Sequence, residues 1–309
     1  MYHYWQWASA VVSNQSFTFE YPTLALIPIV LPRLLTDSYS LYVLLFHIEM
    51  IGFAGIIAFL IKKVLKLSPL PFLAIFLALF GLLIERLDVY VALLTFVSIL
   101  LFHNKKYTFS ALFLLLASAT KIYPLVLFPI FGLRLLKERI KLIPFIVAAI
   151  LSVILIFTNP YSIEFHKERQ VQPESIYGTL IYLNNPKTEI VYDHNAQEYK
   201  NVYLPIWFPL GILAFGFLRA IRQKSIFASS FYMILSFIVA NKVLSPQYLI
   251  WLAPLVVFAS KRTRWLILGA SVLTIWYLGL YTQTVVDRIT PFPWILTLRN
   301  LFFTLGLII

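Results

Sequence analysis

The stretch Tyr39–Ile61, YSLYVLLFHIEMIGFAGIIAFLI, closed by Lys62 and Lys63, decides the reading of this chain. It is apolar apart from His47 and Glu49 and has the roughly 20-residue length that a helix needs to cross a bilayer. From Ser40 onward, apolar runs of nearly this length recur with short charged interruptions. Of the 309 residues, 61% are hydrophobic and 12% charged, against about 25% charged residues in an ordinary soluble domain. An apolar solvent accounts for the excess, and one helical membrane domain spanning residues 1–309 accounts for the chain. The expected class is therefore all-α, a polytopic helical membrane protein with about 10–11 transmembrane segments.

The formal net charge of +12 reads as topology and not as a nucleic-acid surface. Basic residues cluster at Lys62, Lys63 and Lys66; at Lys105 and Lys106; at Arg134, Lys137, Arg139 and Lys141; at Arg219, Arg222 and Lys224; and at Lys261, Arg262 and Arg264. By the positive-inside rule these mark cytoplasmic loops. The breaks between them, at Glu85–Asp88, Thr120–Tyr123, Asn159–Asn201, Asn241–Pro246 and Thr282–Pro293, then fall on the outer side. Spans are expected near 39–61, 68–84, 88–103, 107–119, 123–136, 142–158, 202–219, 225–241, 247–260, 264–282 and 293–309. The two around Thr120–Pro124 are short and read equally as one broken hairpin. Residues 1–38, with the aromatic stretch Tyr2–Trp7 and the proline-containing segment Tyr21–Leu35, form an outer interfacial region suited to the headgroup layer. Residues 159–201 form the large outer loop.

Cysteine is absent, which excludes disulfides and cysteine-based metal or nucleophile chemistry. No P-loop, dinucleotide glycine fingerprint or His-Glu-x-x-His motif occurs. No cofactor or metal site is expected, and an activated sugar used on the outer side would have to come from the lipid. His47 and Glu49, two residues apart, point about 200° apart around a helix. They suit either a bridge to a neighbouring helix or a catalytic role.

The outer ends of the spans gather Glu20, Arg86, Asp88, Lys121, His166, Arg169, Glu174 and Lys242. Cations beside carboxylates at one membrane surface suit a phosphate head group and a hydroxyl to be activated; solvated loops carry the same charges for no such reason. Arg169 with Glu174 also reads as a pair within the loop. Five stretches go further: Phe19-Glu-Tyr-Pro-Thr-Leu-Ala25, Glu85-Arg-Leu-Asp-Val89, Lys121-Ile-Tyr-Pro124, His166-Lys-Glu-Arg-Gln-Val-Gln-Pro-Glu-Ser175 and Ser245-Pro-Gln-Tyr-Leu-Ile-Trp251. In this order the set resembles the GT-C glycosyltransferases of family 87 (DUF2029), the polyprenol-phosphate-mannose-dependent mannosyltransferases.

The resemblance implies a GT-C-like fold and an inverting transfer of a hexose, mannose first, from a polyprenyl-phosphate donor to a lipid or glycan acceptor. It implies a plasma-membrane enzyme with its site on the outer face. Carried over residue by residue, it puts Lys121, His166 and Arg169 at the donor phosphate. Arg86 and Asp88 act as a supporting pair, and Tyr21, Tyr123, Glu174, Ser175, Gln247 and Tyr248 support or touch substrate. The family places its catalytic aspartate after a first spanning helix and before an aromatic stretch like Tyr2–Trp7, where this chain begins; Glu20 is the carboxylate expected to act as base here. A secondary transporter or flippase, or a noncatalytic relative of the transferases, are the alternative readings.

Overall fold

The computed structural model describes all residues except Pro186, Asn195 and 288–292, and only the backbone of 279–287 and 293. The chain is mostly helical and divides into two compact units. The first comprises Met1–Pro69 with Phe80–Lys167, and the second Leu70–Leu79 with Glu168–Ile309.

In the first unit, helix Tyr2–Val12 packs on helix Leu26–Arg33, which follows a short 3-10 turn at Thr23–Ala25. Ala8 and Ala25, both fully buried, let backbones approach closely. Arg33 ties this region together: its guanidinium lies over the Trp5 ring at 4.8 Å, donates from Nε to Ser9 Oγ and pairs with Asp37 at 2.5 Å. Helix Tyr39–Phe59 continues through a π-helical turn, Leu60–Val64. Together, Tyr39–Val64 is the one helix among the described residues that is by itself long and apolar enough to cross a membrane. Its Tyr42 hydroxyl donates to the Ile29 carbonyl at 3.1 Å.

Helices Asp88–His103 and Tyr107–Thr120 pack as neighbours, joined by reciprocal hydrogen bonds between Ser98 and Ser110. Then come Leu127–Lys137 and Ile143–Phe157, and at Thr158–Asn159 the chain bends by 80° into Pro160–Glu168. Several of these helices close in the same way. Asn14, Lys105 and Arg139 take left-handed backbones with φ of 53°, 58° and 56°. In each case the next N–H bonds back five residues, as in Lys106 N to Leu101 O and Ile140 N to Leu135 O. This is the Schellman closure usually given to glycine.

The second unit holds helices Trp207–Ile221, Ile226–Ala240, Lys261–Asp287 and Pro293–Ile308, with Leu70–Ala78 packed on the segment Ala253–Phe258. Gly216 permits the tight pairing of the first two, since a Cβ there would lie 2.1 Å from Ser236 Cβ.

Most expected spans coincide with helices, and two are broken into pieces. Residues 68–84 form two helices, Leu70–Ala78 and Phe80–Leu83. Residues 247–260 form 3-10 and α-helical pieces around Pro246 and Pro254, which lack the N–H that a continuous ladder needs. The expected break from Thr282 to Pro293 is shorter at its start, since helix Lys261–Asp287 runs through Thr282, and its residues 288–292 lie outside the described residues. The large loop also departs from an all-α reading: strands Ile190–Asp193 and Ala196–Tyr199 pair antiparallel, with Ile190 opposite Tyr199.

Candidate functional site

The first unit brings together Tyr4, Glu20, Tyr21, Arg86, Asp88, Lys121 and Tyr123. Lys121 stands where helix Tyr107–Thr120 stops, in an extended backbone (φ −153°, ψ 141°), before the 3-10 turn Tyr123–Val126 with Pro124 inside it. The break expected at Thr120–Pro124 is therefore present. It directs the Lys121 ammonium to Asp88, in the first turn of its helix, at 2.7 Å. Asp88 is 1% exposed as a residue.

Lys121, 33 positions away, joins the expected Arg86–Asp88 pair: it makes the salt bridge to the carboxylate, while Arg86 interacts with Asp88 without one. A buried carboxylate needs a close partner, and the helix break supplies one. Lys121 also lies 5.6 Å from the Tyr21 ring centre. Tyr123 is buried, its hydroxyl 3.1 Å from Thr95 Oγ1.

Arg86 is half-buried, and no ion pair of the described residues includes it. Burial works against its charge, but Tyr4, Tyr21, Asp88 and Glu20 outweigh that, and its pKa ends above the usual arginine value. Burial likewise pushes Tyr4 up to about 12 and Tyr21 well above the ordinary phenol range. Both phenols therefore stay protonated and remain donors at neutral pH. The Tyr4 hydroxyl is buried near the Tyr21 phenol and makes no hydrogen bond of ordinary length.

Glu20 is half-buried beside this group. Its position is set by a residue the sequence reading passed over. The Asn159 amide nitrogen, at the 80° bend, donates to the carbonyls of Phe19 and Tyr21 at 2.6 and 2.7 Å, so the backbone is held on both sides of Glu20. Thr23 and Thr158 hydroxyls meet at 2.8 Å alongside. His166 lies on helix Pro160–Glu168 of the same unit, edge-on to Phe165 at 5.5 Å.

The second unit holds Arg169, Glu174, Ser175, Gln247 and Tyr248. Arg169 has an ion-pair partner besides the expected Glu174, on which it acts electrostatically. Its Nε stands 3.5 Å from Glu198, a fully buried carboxylate of the hairpin that also accepts from the Gln170 N–H at 2.8 Å and lies 3.3 Å from His194 Nδ1. His194 follows the first strand in a left-handed backbone, φ 47°. The Lys242 ammonium donates to the Arg169 carbonyl, and burial lowers its pKa.

Ser175 caps helix Ile176–Asn184, accepting from Gly178 N at 2.9 Å and donating to Gln172 O at 2.8 Å. Gly178 is required there, because a Cβ would come within 2.2 Å of the Gln172 carbonyl oxygen. Tyr248 stacks on Trp251 with ring centres 3.8 Å apart, and Gln247 lies in the same short 3-10 turn.

Glu174 meets a partner set the sequence reading did not foresee. Its Oε1 accepts from the Tyr277 hydroxyl at 2.9 Å, and its own carbonyl accepts from Arg299 Nη2 and from Asn300 Nδ2. Asn300 also donates to Ser175 O at 3.0 Å and Thr179 Oγ1 at 2.8 Å. Arg299 is fully buried. Burial raises the Glu174 pKa above the usual carboxylate value. The signal available beforehand was the Arg299-Asn300 pair inside an apolar run, since an ionisable residue in such a run needs a buried partner.

His47 and Glu49 do not form the expected bridge. His47 Nε2 and Glu49 Oε2 are buried without a hydrogen-bond partner. Among the described residues no cluster of three or more histidines and carboxylates suits a metal ion. Compared with protein-family models, curated proteins and solved structures, the chain has no match.

Proposed function

We propose that the chain is a polytopic membrane glycosyltransferase that moves a hexose, mannose first among candidates, from a polyprenyl-phosphate donor to a lipid or glycan hydroxyl on the outer face of the plasma membrane. The observation that carries this reading is the division of labour in the first unit. Lys121 neutralises Asp88, whereas Glu20 and Arg86, half-buried beside them, stand outside every ion pair of the described residues. A carboxylate able to take a proton and a cation able to hold an oxyanion are the two groups that an inverting transfer from a phosphate donor demands.

In the reaction Glu20 accepts the proton of the acceptor hydroxyl as that oxygen forms its bond to the anomeric carbon. The bond between that carbon and the phosphate oxygen breaks, and both its electrons leave with the polyprenyl phosphate. Arg86 offsets the charge of the departing phosphate. Asn159 keeps Glu20 in place through the flanking carbonyls.

The membrane reading is supported by the apolar surface of the helices. On Ile143–Phe157, eight large apolar residues are exposed, from Leu151 at 43% to Ile143 at 64%. Such a continuous patch suits an apolar solvent and not water. Membranes containing the chain are expected to transfer label from radiolabelled polyprenyl-phosphate mannose to an extractable lipid or glycan, with the donor consumed. Movement of the donor between leaflets with no consumption would instead favour a flippase.

A further inference from the structure

We infer that Tyr4 is a substrate-binding residue of the first-unit site, its phenolic hydroxyl donating a hydrogen bond to an oxygen of the phosphate held by Arg86. The inference rests on the proposed site but adds a group that neither its spacing nor the family resemblance supplies, since Tyr2–Trp7 reads from sequence as a headgroup-layer aromatic stretch.

Three observations carry it. The first is position. Tyr4 lies on helix Tyr2–Val12, 4% exposed, with its ring against Phe46 at 5.5 Å, Trp7 at 5.7 Å and Tyr21 at 6.4 Å. The ring is fixed by packing, so the oxygen is fixed too.

The second is the spare hydrogen-bonding capacity of that oxygen, which is buried with the Tyr21 phenol as a side-chain neighbour but makes no hydrogen bond of ordinary length. A phenylalanine would fill the same space without leaving a buried hydroxyl unsatisfied, which is costly in the ligand-free chain. The contrast is Tyr42, an equally buried tyrosine of the same unit whose hydroxyl is satisfied by the Ile29 carbonyl at 3.1 Å.

The third is electrostatic. Tyr4 stands within interaction range of Arg86, and Arg86 belongs to no ion pair of the described residues. An oxyanion beside Arg86 meets a guanidinium and a phenol donor together, and hydrogen bonds to charged groups are the stronger class. Tyr4 remains protonated at neutral pH, as a donor must.

The test uses the purified full chain in detergent, thermal stabilisation by undecaprenyl phosphate, and the variants Tyr4→Phe and Tyr42→Phe. Tyr4→Phe is expected to melt, without lipid, at or above the wild-type temperature and to need about tenfold more lipid phosphate for the same stabilisation. Tyr42→Phe is expected to melt lower without lipid and to keep the wild-type lipid dependence. Equal lipid dependence of Tyr4→Phe and wild type overturns the inference. So does a ligand-free loss of stability in Tyr4→Phe like that of Tyr42→Phe, which would mean that the hydroxyl is spent inside the protein. A wild type that undecaprenyl phosphate does not stabilise, or an equal change in the response to uncharged undecaprenol, overturns it as well. The tenfold change seen in a wild-type chain that transfers no sugar would support the phosphate contact and reject the transferase reading.

Discussion

Both units spend buried polar groups on holding chain segments together, and they differ in which charged groups stay outside ion pairs. In the second unit, Arg299 and Asn300 are spent on loop backbone and side chains at Glu174, Ser175 and Thr179, while Glu198 accepts from the Gln170 N–H and lies against Arg169 and His194. These contacts hold one segment of chain on another. In the first unit Lys121 and Asp88 are spent in that way, as are Asn159 on the Phe19 and Tyr21 carbonyls and Arg33 on Ser9 and Asp37. Arg86 and Glu20 belong to no ion pair of the described residues, and the Tyr4 hydroxyl makes no hydrogen bond of ordinary length. Charge at helix ends is thus common to both units. What marks the candidate site is a carboxylate and a cation within interaction range of each other and outside ion pairs, since single buried atoms such as Arg299 Nη1 and Glu174 Oε2 lack partners in the second unit as well.

The largest effect that would sharpen this contrast is expected at Asp88. Asp88→Asn leaves Lys121 without its counter-charge in a largely buried place, and a loss of about 3–5 kcal/mol of stability is expected, read as a fall in the chemical-denaturation midpoint. Lys121→Met in the same chain should recover much of that loss. No loss in the single variant would mean that the pair is not the scaffold of the site.

A smaller effect is expected at Asn300. Asn300→Leu strips the turn at 174–179 of donors and should cost about 1–3 kcal/mol, with greater hydrogen exchange in residues 172–179. Exchange that stays at the wild-type rate would break the assignment of this cluster to scaffolding.

Glu174 gives the smallest effect and one with a definite sign. Its folded-state pKa is raised by burial, so the folded chain holds the proton more tightly than the unfolded one. The residue is neutral in its effect at pH below the unfolded carboxylate value and destabilises increasingly as pH rises from there towards the folded pKa. Glu174→Gln keeps an acceptor for Tyr277 and should melt with the wild type at pH 4 but above it at pH 8. A variant that melts lower at pH 8 would show an ionised Glu174 that stabilises the fold.

Much of the helical framework was legible. The apolar runs, the basic breaks and the proline at Lys121-Ile-Tyr-Pro124 each mark a helix or its end, because these features act within a few residues. Partner choice was not legible. Arg86 and Asp88 read as a pair, yet the salt bridge to Asp88 comes from Lys121, 33 positions on, and only the packing of two helices could reveal that. The same holds for Asn159 on the carbonyls around Glu20 and for Arg299 on that of Glu174. The hairpin at 190–199 did leave a trace, in β-branched and aromatic residues at Ile190, Val191 and Tyr192 followed by Asp193 at the turn. Tyr4 left none, since an unsatisfied hydroxyl is a property of its surroundings alone.

The most direct test of the central claim compares wild type with Glu20→Gln for transfer from radiolabelled polyprenyl-phosphate mannose, in membranes carrying equal amounts of folded protein. Glu20→Gln keeps the size of the side chain and removes the base. A fall in rate of about 10²–10⁴, the range expected for loss of a general base, with an unchanged melting temperature, is the predicted result. Full transfer by Glu20→Gln, or none by the wild type with acceptors present, would contradict it.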